Sequence, residues 1–193
     1  MTPGLRPLTE EDLPLLASWL AAPHVQRWWR EPHDLASVRE AYLPMVTGSD
    51  PTEGLVVLLD GAAIGFVQRY RIADEPAWRR TLSGALGGPV DGAAGIDYLI
   101  GDVRRTGQGI GRTVIAELVG TVWERYEDAS SVIVGLHQGN RASWRALEAA
   151  GFRRLWGGLL ASDDPSDAAP QYLYGIERPP VDDRDGRARG LRR

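Results

Sequence analysis

Cysteine is absent from the 193 residues, which excludes disulfides, thiolate nucleophiles and cysteine-based metal sites together. Lysine is absent as well, so all 22 basic residues are arginine. A Walker A phosphate loop, which requires a lysine, is therefore excluded. The three histidines, His24, His33 and His137, do not fall at the spacing of metal ligands. The sequence predicts no metal site.

Long hydrophobic runs are also missing. No apolar stretch approaches the roughly 20 residues that cross a bilayer, and the first residues, MTPGLRPLTEEDLP, lack the apolar core of a signal peptide. The chain is therefore expected to be cytoplasmic, with no membrane partner. Its formal net charge is −4 although residues 181–193 carry five Arg against three Asp. An acidic body argues against nucleic acid as a partner and permits a cationic substrate.

The composition, 43% hydrophobic and 25% charged, is that of one globular domain. We expect this domain to span residues 1–180. The Arg-rich tail, residues 181–193, is expected to be disordered because it has almost nothing apolar to bury. The chain is expected to be a monomer or a homodimer.

Hydrophobic periodicity and turn signals predict an alternation of strands and helices. Strands are predicted at 5–8, in the run 54–70, and at 93–101, 131–136, 152–156 and 171–177; helices are predicted after Thr9, at 35–46, at 110–127 and at 140–152. Within 54–70, Asp60-Gly61 predicts a hairpin turn. The order indicates an α+β fold with a mixed, mostly antiparallel central sheet flanked by helices.

Residues 71–92, rich in Pro, Gly and charge, are predicted to form a long loop that serves as a lid over the site. Asp74, Glu75 and Asp91 are acidic candidates for the site on this segment.

The stretch RRTGQGIGR, residues 104–112, places three glycines at alternate positions directly before a predicted helix. A dinucleotide-binding fingerprint would need a glycine where Arg112 stands. Glycines at a helix start nevertheless let backbone amides approach a phosphate, and the helix N-terminus carries about +0.5 charge. Arg104, Arg105 and Arg112 would meet a diphosphate bound there. The alternative interpretation is a flexible turn with a solvated basic rim.

The segment DVRRTGQGIGRTVIAEL resembles the acetyl-coenzyme A pyrophosphate loop of the GNAT N-acetyltransferase superfamily, and NRASWRALEAAGF resembles the asparagine-led helix that follows the next strand in that family. The two segments have the order and spacing of the family. Further segments, LRPLTEEDLPLLASWLAAPHVQRWW, AYLP, DGAAIGFVQRY and GIDYLIG, resemble aminoglycoside 6′-N-acetyltransferases and the related siderophore-type acyltransferases. The resemblance covers roughly residues 5–175 and implies a GNAT fold.

Acetyl-coenzyme A is the cofactor that the resemblance implies. Its expected binding residues are Leu99, Ile100, Gly101, Arg104, Arg105, Gly107, Gln108, Gly109, Ile110, Gly111, Arg112 and Asn140. The amides near Leu99 to Gly101 would hold the thioester carbonyl, and Asn140 would contact the pantetheine arm while also capping its helix. Thr106 stands where the family usually has Arg or Gln, so one side-chain contact to the pyrophosphate is not expected here.

Asp97 is the expected catalytic residue. An ammonium is not a nucleophile, so the site must remove a proton from it and stabilise the oxyanion that develops. The resemblance implies that Asp97 positions the amine and accepts its proton, directly or through water. The alternating pattern Ile96, Tyr98 and Ile100 by itself favours a solvent-facing Asp97. The expected acceptor-binding residues are Trp28, Trp29, Tyr42, Gln68, Asp97 and Asp167.

Leu147 occupies the register where many family members place a tyrosine that protonates the departing thiolate. Tyr98, Tyr172 or a water molecule could take that role, or no acid is needed because the thiolate of coenzyme A leaves readily.

Three functions remain open from the sequence. The first is acetylation of an aminoglycoside amino group, most often the 6′ amine. The second is acylation of another amine, such as a siderophore hydroxylysine-type intermediate or a protein N-terminus; a siderophore enzyme would offer a histidine in the acceptor site, and His137 is the one nearby. The third is a non-catalytic coenzyme A sensor.

Overall fold

The computed structural model describes residues 3–161 and 169–180. The strands are β1 Gly4–Pro7, β2 Glu53–Leu59, β3 Ala62–Arg71, β4 Ala93–Ile100, β5 Ser131–His137, β6 Arg153–Gly158 and β7 Gln171–Glu177. The α-helices are α1 Leu13–Leu20, α2 Pro23–Gln26, α3 Leu35–Thr47, α4 Pro76–Leu86, α5 Ile110–Arg125 and α6 Arg141–Ala149. Across the described residues no helix is long and apolar enough to cross a membrane.

The strands form one seven-stranded sheet in the order β1-β2-β3-β4-β5-β7-β6. Every neighbouring pair is antiparallel except β4 and β5, which are parallel and joined by the crossover helix α5. The predicted α+β fold with a mixed, mostly antiparallel sheet is confirmed.

The parallel pair is short. Strands β4 and β5 are paired only at Ala93–Gly95 with Ser131–Ile133, so their carboxyl-terminal halves diverge. The diverging halves leave backbone groups of β4 without a strand partner on that side. This gap lies at the centre of the sheet, beside the N-termini of α5 and α6.

Helices cover both faces of the sheet. On one face α5 and α6 pack their apolar residues, including Ile115, Leu118 and Leu147, against the sheet. On the other face the helices form two separate clusters, one built by α1 and α3 and one built around α4. Side chains alternate along β4, so Tyr98 faces α5 and α6, whereas Asp97 faces the region between the other two clusters.

The hairpin prediction is confirmed. Asp60 and Gly61 both have positive φ, 51° and 80°, as the two-residue turn between right-twisted strands requires.

The prediction of a long loop at 71–92 is wrong. A short 3₁₀ turn, Ile72–Asp74, is followed by α4. Pro76 occupies the first helical position, where its missing N–H costs nothing, and Gly87 ends the helix with a φ of 71°. Leu82 is fully buried, so the segment packs as a helix on the sheet. The short helix α2 was not predicted either.

Asp167 and the predicted disordered tail, 181–193, lie outside the described residues.

Candidate active site

Two cavities meet at Asp97. The coenzyme groove, of about 1360 Å³, lies in the gap between β4 and β5 and is bounded by Asp97–Ile100, Arg105–Thr113, Val134–His137 and the start of α6. The acidic cavity, of about 930 Å³, lies on the opposite side of Asp97 and is lined by the carboxylates of Glu31, Asp50, Glu75 and Asp97 together with part of α4. Asp97, Gln68 and Glu31 line both.

The glycine loop leaves the N-terminus of α5 open towards the groove. Gly107 and Gly109 adopt left-handed φ angles of 73° and 76°, and a Cβ at either position would meet no atom within 4 Å. Gly109 is the N-cap, and no side chain caps the helix. The first-turn amides from Ile110 onward are therefore exposed donors at a positive helix end. This cradle fits a diphosphate.

The arginines of the loop divide into two groups. Arg105 and Arg112 line the groove with the glycines, Gln108 and Ile110. Arg104, contrary to the expectation, does not line it: its guanidinium pairs with Asp102 at 3.0 Å and its side chain is 85% exposed. The side chain of Gln108 donates to the Arg104 carbonyl at 2.6 Å and closes the loop on itself.

Of the three backbone amides expected to hold the thioester, the geometry favours that of Ile100. The Gly101 amide donates to the Ile64 carbonyl at 2.9 Å, and a Cβ on Gly101 would lie 2.0 Å from Trp19, so this residue is packed away from the groove. Leu99 is paired with Phe66 of β3. Successive backbone amides of a strand point alternately to its two neighbours. Because the Gly101 amide points towards β3, the amides of Ile100 and Tyr98 point towards the gap.

Asn140 begins α6 at the far wall of the groove. Its side-chain oxygen accepts from the Ser143 amide at 3.2 Å, so the capping role is confirmed. The Ser143 hydroxyl in turn lies 2.6 Å from the hydroxyl of Tyr98. This contact bridges α6 and β4 across the gap.

Asp97 is not the solvent-facing residue that the alternating pattern favoured. It is enclosed at the junction of the cavities, where Gln68 Nε2 donates to its Oδ2 at 2.9 Å. Its pKa is raised from 3.8 to about 6, chiefly by burial. Hydrogen bonds from Gln68 and Tyr70 oppose the increase, and the charges of Glu31 and Glu75 add to it. A carboxylate with this pKa accepts a proton near neutral pH.

The acidic cavity contains carboxylates without cationic partners. Within residues 3–161 and 169–180, none of the ion pairs involves Glu31, Asp50, Glu75 or Asp97. Burial raises the pKa of Glu75, and the charges of Asp50 and Asp74 add to that effect. Arg80 is the only basic side chain among the described residues lining the cavity. Like charges this close disfavour one another, and a cation relieves the repulsion.

The adjacent tryptophans face different surroundings. Trp28 lines the groove, with its ring 5.4 Å from that of His137. Trp29 also reaches the groove but packs its edge on Phe66 in the core. His137 is in the groove and not in the acidic cavity, and its Nδ1 accepts from the Gly139 amide at 2.8 Å. The chain therefore places no histidine in the described wall of the acidic cavity.

Tyr42 is not a wall of the site, contrary to the expectation. It is 2% exposed and lines neither cavity, because its ring is packed edge-on against Phe66 between α3 and the sheet. Its hydroxyl donates to Glu31 Oε2 at 2.5 Å. Tyr42 thus holds the Glu31 carboxylate at the border of the two cavities.

The geometry combines three elements of acyl transfer: an anion cradle, a strand edge that can hold a carbonyl, and a carboxylate base beside a cation-binding cavity. Residues 9–156 match the family model described as an acetyltransferase (GNAT) domain. The chain belongs to the GNAT acetyltransferase family. The site of this GNAT domain is accordingly one for acetyl-coenzyme A-dependent acetyl transfer.

Relatives of this GNAT domain include the aminoglycoside N(6')-acetyltransferases type 1 of Klebsiella pneumoniae and Serratia marcescens. Each is 29% identical over 178 residues, which cover 90% of this chain and 85% of the relative. Among solved structures, aminoglycoside acetyltransferase AAC(6')-Ib in complex with coenzyme A is similar with a TM-score of 0.73 and 26% identity, covering 92% of this chain and 95% of that one. The complex of AAC(6')-Ib with ribostamycin and coenzyme A has the same TM-score and identity and covers 100% of both chains.

Sequence reasoning missed two parts of the site. Glu31 lies in a short connection without periodicity, and nothing in its neighbourhood predicts that it lines the two cavities together with Asp97. The second part is the cavity wall formed by α4, including Trp78. The Pro, Gly and Arg content of this segment led to the prediction of a loop. Pro76 and Gly87, eleven residues apart, were the available signals of a helix start and end.

Proposed function

We propose that this GNAT domain transfers the acetyl group of acetyl-coenzyme A to an amino group of an aminoglycoside, with the 6′ amine as the preferred position. The observation that carries the proposal is the acidic cavity: carboxylates with no cationic partner in the described chain surround the base Asp97. Aminoglycosides are polycations, and such a cavity binds several ammonium groups at once.

The relatives support this acceptor. Their names specify the 6′ amino group, and complexes of AAC(6')-Ib include one with kanamycin and coenzyme A. The siderophore hydroxylysine-type intermediate has less support, because His137, the histidine expected in its acceptor site, lies in the groove. A protein N-terminus is the other alternative acceptor.

Bound acetyl-coenzyme A supplies an activated acetyl group as a thioester. We assign its diphosphate to the amides of Gly109 and Gly111 and to Arg105 and Arg112. The Ile100 amide is the proposed donor to the thioester carbonyl, and Asn140 is the proposed contact of the pantetheine arm. The lining of the groove is suited to an anionic ligand because it contains five arginines: Arg27, Arg30, Arg105, Arg112 and Arg145.

Asp97 takes the proton from the acceptor ammonium. Its Oδ2 is held by Gln68, whose own Oε1 is buried without a hydrogen-bond partner among the described residues. The amide oxygen is free to accept from the acceptor amine, so Gln68 orients base and nucleophile together. Trp28 and Trp29 are proposed to contact the acceptor from the other side.

A thiol-release assay with acetyl-coenzyme A tests the proposal. The acceptors are aminoglycosides with a 6′ amine, an aminoglycoside with a hydroxyl group in its place, spermidine and a lysine derivative. We expect turnover with the first group only and a product acetylated at the 6′ nitrogen by NMR. Acetylation removes one positive charge, and bacteria that express the protein are expected to resist the same compounds in the cytoplasm, where acetyl-coenzyme A is available. Thiol release with the other amines alone would refute this acceptor.

Asp97→Asn tests the base. The amide cannot accept the ammonium proton, and we expect kcat to fall about 10²- to 10⁴-fold. Because a carboxyl with a raised pKa destabilises the native state at neutral pH, where it is charged, the same change should raise the free energy of unfolding, by up to about 2–3 kcal/mol. Asp128→Asn, at an exposed ion pair with Arg71, is the control. Unchanged turnover in Asp97→Asn would mean that the base lies elsewhere.

A further inference from the structure

Acetyl transfer leaves a proton to be placed at the leaving sulfur. As the bond between the amine nitrogen and the carbonyl carbon forms, the bond from that carbon to sulfur breaks and its electron pair goes to sulfur. Leu147, where the resemblance implies a tyrosine, is fully buried in the apolar cluster under α6 and has no proton to give. A donor must come from another residue of the groove or from water.

Few proton donors face the groove among the described residues. His24 lies with its Nε2 2.9 Å from the Ile100 carbonyl, and His137 is held against Trp28 by its contact with the Gly139 amide. Tyr172 does not line the groove; its ring lies under the Arg154 guanidinium, towards β6. Tyr98 and Ser143 both line the groove and their hydroxyl oxygens are 2.6 Å apart.

The position of Ser143 on α6 relates this pair of hydroxyls to the register of the family's tyrosine. Ser143 and Leu147 are four residues apart and lie on one face of the helix. Helical side chains lean towards the N-terminus, so a tyrosine at position 147 would extend over Ser143. Tyr98 reaches the same place from the opposite wall, because it projects from β4 towards α6. The hydroxyl of Tyr98 therefore lies beside Ser143, one helical turn before the position where the family places its tyrosine.

We infer that Tyr98 is the general acid of this GNAT domain and donates its hydroxyl proton to the sulfur of the departing coenzyme A, while Ser143 donates a hydrogen bond to the Tyr98 oxygen. The proton taken from the amine goes to Asp97, so each step has a donor and an acceptor, and the phenol is restored by a proton from solvent. Burial raises the pKa of Tyr98, and the Ser143 hydrogen bond opposes that effect. The phenol thus remains protonated at neutral pH, and Ser143 stabilises the anion it forms. The inference concerns the donor side and goes beyond the choice of acceptor.

Tyr98→Phe removes the proton and keeps the ring. We expect the single-turnover rate and kcat to fall about 100-fold, the lower end of general acid catalysis because a thiolate leaves readily, with KM for acetyl-coenzyme A unchanged. Ser143→Ala should give a smaller decrease of the same kind. Tyr174→Phe is the matched control, since its buried hydroxyl bonds Glu148 and lines neither cavity. The acceptor is whichever amine of the panel supports turnover by the parent protein, so a wrong acceptor and a wrong acid are distinguished.

Rescue provides a second test. The double variant Tyr98→Phe, Leu147→Tyr restores a phenol on α6, in the register that the family uses, and we expect it to recover at least about tenfold in kcat. Thermal unfolding of each variant shows whether the added ring is accommodated in the core. If Leu147→Tyr unfolds the protein, the assignment rests on the titration described next.

Binding of the product gives a readout without turnover. A hydrogen bond from Tyr98 stabilises the thiolate of bound coenzyme A, so its thiol should titrate at lower pH in the parent protein than in Tyr98→Phe, as followed by ultraviolet absorbance of the thiolate. Equal thiol titrations, or a Tyr98→Phe protein with parental kcat, would overturn the inference and indicate that water protonates the sulfur or that no acid is needed. A raised KM with unchanged kcat would likewise assign Tyr98 a purely structural role and overturn it.

Discussion

Asp97 lies where burial and like charge act in the same direction. Burial alone would raise its pKa, and the nearby charges of Glu31 and Glu75 raise it further. The hydrogen bond from Gln68 limits this effect. The same carboxylates that attract a polycation therefore also tune the base, and binding of the cation lowers the pKa of Asp97 by supplying positive charge.

This coupling predicts the acid limb of the pH profile. Asp97 accepts a proton only when ionised, so kcat/KM for the acceptor, which reports the enzyme before the cation binds, should rise as pH increases through about 6. Glu31→Gln removes one negative charge that raises the pKa of Asp97, and the limb should move to lower pH by about half a unit. The measurement is kcat/KM for the acceptor, at saturating acetyl-coenzyme A, across this pH range.

Glu117→Gln, an exposed change on α5 away from both cavities, is the charge-matched control for Glu31→Gln and should leave the limb in place. If the limb moves equally in both variants, its position is set by the net charge of the protein and not by the charge of Glu31 near Asp97. A limb that does not move in Glu31→Gln would mean that Glu31 is screened by water.

Individual residues differ in how far sequence alone identified them. Asp97 and the glycines stand in motifs whose spacing carries chemistry, and the structure brings them to one place. Tyr42 has the apolar spacing of an inward-facing helix residue, and that spacing cannot tell a core position from a cavity wall. Arg104 and Gly101 belong to the predicted segment, but the Arg104 guanidinium pairs with Asp102 and the Gly101 amide donates to the Ile64 carbonyl. Such local pairings depend on the folded backbone.

At the scale of elements, the N-terminus of α5 is the part of the fold on which coenzyme binding depends. Gly109→Ala puts a Cβ on a residue with a φ of 76°, which costs roughly 1–2 kcal/mol. Gly109 also lines the groove to which the diphosphate is assigned. We expect lower stability in urea unfolding and at least about tenfold weaker coenzyme A binding by titration calorimetry.

Gly120→Ala in the same helix is the matched control. Gly120 is exposed and a Cβ there meets nothing within 4 Å, so alanine should stabilise the protein by about 0.5–1 kcal/mol and leave coenzyme binding unchanged. Parental affinity in Gly109→Ala would show that this turn does not hold the diphosphate.

The elements that sequence predicted correctly have strong local signals. The hairpin follows from Asp60-Gly61, and α5 follows from apolar residues spaced four apart, Ile110, Val114, Leu118 and Val122. The last three are buried and Ile110 is half-buried. Helix α4 has one fully buried residue, Leu82, and its pattern of Arg and Gly conceals the helical period. Helix α4 is stabilised by packing on the sheet, and such tertiary packing cannot be predicted from the local sequence.

At the scale of the whole molecule, two substrates of opposite charge meet at one carboxylate. Arginines line the coenzyme groove, carboxylates line the acidic cavity, and Asp97 stands between them. The net charge of −4 reveals neither the basic lining of the groove nor the acidic lining of the cavity. The division arises from topology, because the gap between β4 and β5 faces the loop of α5 on one side and α4 with the Glu31 connection on the other.

This division predicts a salt dependence that distinguishes acceptors by their charge. With acetyl-coenzyme A saturating, raising NaCl from about 50 to about 500 mM shortens the distance over which the carboxylates act. KM should rise strongly for an aminoglycoside with four or more ammonium groups and only slightly for a monoamine that the site turns over, because each bound charge contributes its own screened interaction. The neutralising variant Glu75→Gln should weaken the salt dependence for the polycation. Equal salt dependence for both acceptors would show that the acidic cavity contributes little to binding, and that shape alone selects the substrate.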